Sequence, residues 1–166
     1  MSILRRIHDP RTIYFVTCVT HKRKPILKEH SDLILKTLHN LQTKFDIDLQ
    51  AWVILPDHFH LIIDVKKHDI SKLIQRLKSS FRALYHKRLG LKMGRVWQHR
   101  YWDHIIRDEI DWKHHVDYIH YNPVKHGLVQ SAFRWQSSSI HRFHEDEIYV
   151  DDWGEKPVSF DGDYGE

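Results

Sequence analysis

Two histidines flank a single hydrophobic residue at His58-Phe59-His60, and Tyr118 stands four residues before Asn122 in HVDYIHYN. Period-two geometry puts His58 and His60 on one face of a strand, with Phe59 on the other. A four-residue spacing puts Tyr118 and Asn122 on one face of a helix. Two imidazoles, a carboxamide and a phenol can make a metal site beside a tyrosine nucleophile. Taken alone, the histidine pair reads equally well as ordinary strand histidines, since the chain carries 16 of them.

These residues need elements to hold them. AWVILPDHFHLIIDV (51–65) contains two apolar runs broken by Pro56-Asp57, read as adjacent strands joined by a tight turn. Residues 13–20 are β-branched and aromatic, which suits a buried strand. Leu33, Leu38, Leu41 and Phe45 recur at helical spacing within 31–45. Ile70, Leu73, Ile74, Leu77, Phe81 and Leu84 form a second such stripe, capped by Asp69 or Ser71, that runs to about Leu89 and ends at Gly90. A fourth strand is expected near Tyr101–Arg107 and a last principal helix over roughly 109–122, limited by Pro123. The order strand-helix-strand-strand-helix-strand predicts an α+β, ferredoxin-like fold. In it a four-stranded antiparallel sheet carries helices on one face, followed by a C-terminal helix bearing Tyr118. After Ser137-Ser138-Ser139 the pattern reads as a short helical excursion and a loose acidic tail over 144–166.

Composition bounds the function. The 166 residues fit one domain, 1–143, with that tail appended, and 41% hydrophobic residues with six Trp argue for a folded chain. The single Cys18, within an apolar run, excludes a disulfide framework and fits a reducing compartment. With no membrane span or secretory signal, the expected location is the cytoplasm and no membrane partner is expected. Net charge is +4, but residues 1–143 hold 25 Lys/Arg against 13 Asp/Glu, a balance of +12. Residues 144–166 hold one Lys against nine acids, a balance of −8. A basic body of this kind suits a nucleic-acid partner, for which the tail either competes or serves solubility.

PDHFHLII, WQHRYWDHIIRDE and HVDYIHYNPVKHGLV, in this order and spacing, resemble the motifs of the IS200-like single-tyrosine transposases of the HUH superfamily. The resemblance is strongest to their branch of REP-associated tyrosine transposases and runs from about residue 10 to about residue 142. It implies that His58 and His60 bind a divalent metal, Mg²⁺ or Mn²⁺, and that Tyr118 is the nucleophile. Asn122 falls where the third ligand stands, a position more often Gln in insertion-sequence relatives. It further implies a single-stranded DNA endonuclease and strand transferase acting at hairpins, with a 5′-phosphotyrosine intermediate and a free 3′-OH. Those relatives work as dimers exchanging the tyrosine helix; for this chain, monomer and homodimer both stay open.

The chemistry is consistent with that assignment. A divalent metal stabilises charge developing on a phosphate, and a phenol with a reference pKa near 10 needs help to ionise. His114 and His104 are candidates to give that help. Tyr121 is a rival nucleophile, but it stands three residues beyond Tyr118 and next to Asn122, about 100° away around the helix, off the ligand side. For DNA contact the candidates are Arg5 and Arg6 in a basic arm, and Lys22, Arg23 and Lys24 in a loop. Lys72, Arg76 and Arg82 lie along the second helix, and Arg95, Arg100 and Lys125 lie elsewhere in the body. Trp97, Trp102 and Tyr101 can stack on unpaired bases or fill the core. The alternatives are a non-catalytic nucleic-acid-binding protein on the same fold, and a metal-binding structural protein.

Overall fold

A computed structural model describes residues 10–166; Arg5 and Arg6 lie outside them. Its central element is a four-stranded sheet of β1 (Ile13–Val19), β2 (Asp48–Ile54), β3 (His58–Asp64) and β4 (Trp102–Ile105). The order is β2-β3-β1-β4 and every pairing is antiparallel. Helices α1 (Ser31–Phe45) and α2 (Ile70–Leu89) make the crossovers, which gives the expected ferredoxin-like topology. Asp69 provides the α2 cap, accepting from the Lys72 amide, and Gly90 ends the helix in the left-handed region.

Strand alternation sorts two cores. Val16, Cys18, Phe59, Leu61 and Ile63 face α1 and α2. Ile13, Phe15, Ala51, Val53 and Ile62 face the other way, toward helix α3 (Glu109–Lys125). Thr17 and His60 share this second face, directly opposite each other in the β1–β3 register. Both faces of the sheet are therefore covered, and the two histidines lie beneath α3.

Two boundaries differ from the sequence expectation. Strand β4 is shorter than 101–107, and α3 continues past Pro123 to Lys125. A proline in the last turn forfeits only one helical hydrogen bond. The end is secured by the amides of His126, Gly127 and Leu128, which donate to the carbonyls of Asn122, Val124 and Pro123.

Burial pushes the Cys18 thiol up to about 12, as its fully buried position between sheet and helices requires. Cys18 should therefore resist alkylation by iodoacetamide at pH 8 in native protein and react at the rate of global unfolding. Labelling as fast as a free thiol would show that this core opens locally.

Candidate active site

The side chains singled out by type come together from three elements. His58 and His60 rise from β3, Tyr118 and Asn122 descend from α3, and Thr17 stands beside them on β1. His58, His60, Tyr118 and Asn122 are all nearly inaccessible. The ring of Tyr118 lies 5.4 Å from that of His60, edge to face.

Hydrogen bonds at the far side of each imidazole set its tautomer. His58 Nδ1 is 2.7 Å from the carboxylate of Asp57, an acceptor, so Nδ1 carries the proton. Asp57 is itself steadied by Arg23 at 3.2 Å. His60 Nδ1 is 2.7 Å from Thr17 Oγ1, whose single proton goes to the Tyr164 carbonyl at 2.6 Å. Thr17 can then only accept from His60, and the proton again sits on Nδ1. Both histidines consequently turn Nε2 lone pairs into the site, the form that binds metal. Burial reinforces this at His60, lowering its pKa to about 4. Among the described residues, His58 Nε2 and Asn122 Oδ1 are buried and have no hydrogen-bond partner, although buried polar atoms nearly always find one. Nitrogen and amide-oxygen donors of this kind fit a divalent cation, with Mn²⁺ more tolerant of imidazole than Mg²⁺.

Tyr118 has a cationic neighbour. Lys125 Nζ donates to its hydroxyl at 3.0 Å and also lies over the ring, 4.9 Å from the centroid. Burial, followed by contact with Glu166, raises the phenol's pKa well above its ordinary value in this arrangement. Lys125, a candidate for DNA contact from sequence, thus stands beside the Tyr118 hydroxyl. Tyr121 packs against Trp153 and Phe160 and turns its hydroxyl toward the Val158 amide, away from the histidines.

The expected helpers fall elsewhere. His114 is exposed on the outer side of α3. His104 Nε2 pairs with Asp111 at 2.8 Å, and His104 stacks on His115 at 4.7 Å. Asp111 also accepts from the Arg107 guanidinium and backbone amide, which ties β4 to the start of α3. Burial works against its charge, but Arg107 and His104 outweigh it and hold the carboxyl well below the usual range. Its stabilising effect is thus fully present above the ordinary carboxylate pKa and lost only as pH falls below it. Asp111→Ala should cost about 1–3 kcal/mol in urea unfolding at pH 7, through the donors it strands. The difference should shrink as the parent is acidified toward pH 3, and an equal loss at both pH values would refute this account.

The tail is not loose. Tyr149 accepts or shares a hydrogen bond with His120 at 2.9 Å and donates to Asp117 at 2.8 Å, and Trp153 stacks on it. Beyond Phe160 the chain turns into the site. The Tyr164 ring lies flat on Tyr118, with centroids 3.7 Å apart and planes 10° apart. Glu166 Oε1 is 2.8 Å from His60 Nε2, 3.6 Å from His58 Nε2 and 2.6 Å from Asn122 Nδ2. Its Oε2 meets Lys125 at 2.5 Å and His126 at 3.1 Å. Nothing in the local pattern around Glu166, Tyr164 or Thr17 points to the site: Thr17 lies 43 residues from His60 and Glu166 lies 106.

The basic surface is distributed differently from the sequence expectation. Trp97 is buried, at 6% exposure, wedged against Phe59 and Phe81 with its indole N–H on the Lys78 carbonyl. It packs in the core and leaves only a small part of its surface on the groove that its neighbours line. Lys72, Lys78, Arg82 and Arg95 line a groove between α2 and residues 93–101. Arg76 lies outside that groove, over Phe45, and Arg100, Lys22 and Lys24 are exposed. The groove reaches the site's edge: the Gln98 amide bonds to the Val19 carbonyl, and Val19 pairs with His58.

A buried histidine pair on one sheet face thus lies beneath a tyrosine-bearing helix. The chain belongs to the family described as "Transposase IS200 like", whose model matches residues 10–122. The enzymes of this family cleave DNA by transesterification. The chain is 35% identical to a candidate REP-associated tyrosine transposase of Haemophilus influenzae, over 95% of this chain and 96% of that one. It is 32% identical to a REP-associated tyrosine transposase of Escherichia coli K12, over 96% and 95% respectively. A solved REP-associated tyrosine transposase bound to a REP hairpin superposes with a TM-score of 0.82 at 32% identity, covering 100% of this chain and 98% of that one. A candidate transposase of Deinococcus radiodurans, at 22% identity and a TM-score of 0.52, shares the fold over 68% of this chain and 92% of its own. Among the described residues, no helix is long and apolar enough to cross a membrane.

Proposed function

We propose that this chain is a metal-dependent single-stranded DNA endonuclease and strand transferase that acts beside hairpins through a 5′-phosphotyrosine at Tyr118. The observation that carries this reading is the convergence of His58 Nε2, His60 Nε2 and the Asn122 carboxamide on one buried point, where all three meet Glu166 Oε1 beside the Tyr118 ring. A divalent metal bound there supplies electrophilic stabilisation for charge developing on the scissile phosphate. His58 and His60 are held in the ligating tautomer by Asp57 and Thr17, and Asn122 completes the set from α3. Tyr118 Oη attacks phosphorus, the bond to the 3′ oxygen breaks, and that oxygen leaves as a 3′-OH after taking a proton. Lys125 stabilises the phenolate and guides the hydroxyl. The phosphotyrosine bond retains the energy of the phosphodiester, so the same site can rejoin the strand.

Residues 1–143 form the catalytic body and 144–166 an appended segment that packs upon it. The four candidate catalytic residues meet within one copy of the chain. A hairpin stem in the groove between α2 and 93–101 would be held by phosphate contacts to Lys72, Arg82 and Arg95. The cut strand would pass over the His58 end of the sheet; that a similar solved protein is bound to a REP hairpin supports the choice of ligand.

The test is cleavage of a hairpin oligonucleotide with a single-stranded flank in Mn²⁺ or Mg²⁺. Product should carry a free 3′-OH, and chelator should stop the reaction. Full activity in chelator, with metal content verified as nil, would refute the reading. His58→Ala should lose most of the cleavage while hairpin affinity stays within about twofold, because the basic groove is untouched. Charge reversal at Lys72 and Arg82 should do the opposite, weakening binding to every sequence and flattening its salt dependence.

A further inference from the structure

We infer that Glu166 is a ligand to the same metal, so that the tail closes over the site by coordinating the ion rather than by competing with it. This rests on the reading of His58, His60 and Asn122 as the metal's ligands.

The argument starts from lone pairs. His60 presents an unprotonated Nε2 to Glu166 Oε1 at 2.8 Å, because Thr17 has committed its proton to the tail's own Tyr164 carbonyl. A second unprotonated Nε2, on His58, points at the same carboxylate oxygen from 3.6 Å and has no hydrogen-bond partner among the described residues. Two nitrogen lone pairs and an anionic oxygen facing one another repel, although Asn122 Nδ2 donates to Oε1 at 2.6 Å. A cation among them turns each repulsion into a bond. Turning the Asn122 amide over brings the orphaned Oδ1 to the same point as a further oxygen donor. The set is then two imidazoles, one amide oxygen and one carboxylate, a mixed N/O shell suited to Mn²⁺.

The surroundings match a built site rather than a chance contact. Lys125 and His126 hold Glu166 Oε2, leaving Oε1 free to face the histidines. Gly165 has φ +74, and a methyl group there would collide with Cβ and Cγ of Trp102. The chain can therefore deliver Glu166 at this depth only with glycine beside it. Thr17 links the two events: when the tail docks, its carbonyl takes the threonine proton and fixes His60 in the ligating tautomer.

Full-length protein titrated with Mn²⁺ alone, without DNA, tests this. Isothermal calorimetry should show Glu166→Gln and Gly165→Ala binding Mn²⁺ about tenfold more weakly or worse, with unchanged thermal stability in chelator. Hydrogen–deuterium exchange over residues 159–166 should slow when Mn²⁺ is added to the parent, and should not respond in Glu166→Gln. Equal or tighter Mn²⁺ binding by Glu166→Gln, or faster exchange in the tail on adding Mn²⁺, would overturn the inference and make the carboxylate a competitor. His58→Ala separates this from the underlying reading: retained Mn²⁺ affinity in that variant would show that the histidines are not ligands at all.

Discussion

Tyr118→Phe protein will form no denaturation-resistant adduct with an oligonucleotide labelled 3′ of the cut, and its cleavage rate will fall by about a thousandfold or more. The substitution removes one oxygen from a ring that is otherwise held by packing against Phe15, His60 and Phe160. Fold and hairpin affinity should therefore be unchanged, and the loss is one of chemistry, about 4 kcal/mol in barrier at a thousandfold. Tyr121→Phe should keep the adduct, because that hydroxyl faces the Val158 amide on the other side of α3. Lys125→Ala should retain the adduct but form it more slowly, most clearly at neutral pH. Removing the ammonium 3.0 Å from the hydroxyl disfavours phenolate, and raising the pH should restore part of the rate. Mass spectrometry of the trapped peptide decides the assignment. An adduct on Tyr121 would move the nucleophile while leaving the class of enzyme intact; cleavage by Tyr118→Phe at the parent's rate would make water the nucleophile.

How much of this was legible beforehand follows from which signals are local. His58, Phe59 and His60 could be assigned to opposite faces because strand alternation is a property of three consecutive residues, and the cores confirm it. The helices were legible from apolar periodicity, and the order of elements was enough for the sheet topology. Trp97 was ambiguous for a physical reason: an aromatic residue in a basic stretch serves a base or a core equally well until its neighbours are known. Phe59 and Phe81 decide for the core. Pro123 misled because the bias it places on Asn122 is weaker than the packing that buries Asn122 fully. The tail was the largest omission. A segment with nine acids and one lysine has the composition of a solvated chain, and its aromatics, Tyr149, Trp153, Phe160 and Tyr164, follow neither helical nor strand spacing. They dock one at a time on partners that only the folded body assembles.

That docking sets the second expected result. Ending the chain after Val158, or making Gly165→Ala in the full chain, should speed adduct formation under single-turnover conditions at saturating Mn²⁺ by about tenfold or more. In the closed arrangement Tyr118 is 1% exposed and lies flat beneath Tyr164, while Glu166 occupies the space between His60, Asn122 and Lys125. An aromatic ring and an oxyanion thus stand where a nucleobase and a scissile phosphate would have to be, and no DNA strand can reach the hydroxyl until they leave. A tail docked nine-tenths of the time or more would suppress the rate by tenfold, which requires only about 1.4 kcal/mol of closing free energy. Removing the tail also removes the carboxylate and the overlying ring that disfavour the phenolate, so the gain should be largest near neutral pH. No gain from either variant would mean that the tail lies off the site in solution. If Glu166 also holds the metal, the advantage will depend on metal concentration: the shortened chain will need more Mn²⁺ for half its maximal rate, so its rate curve will start near or below the parent's and cross above it as Mn²⁺ rises.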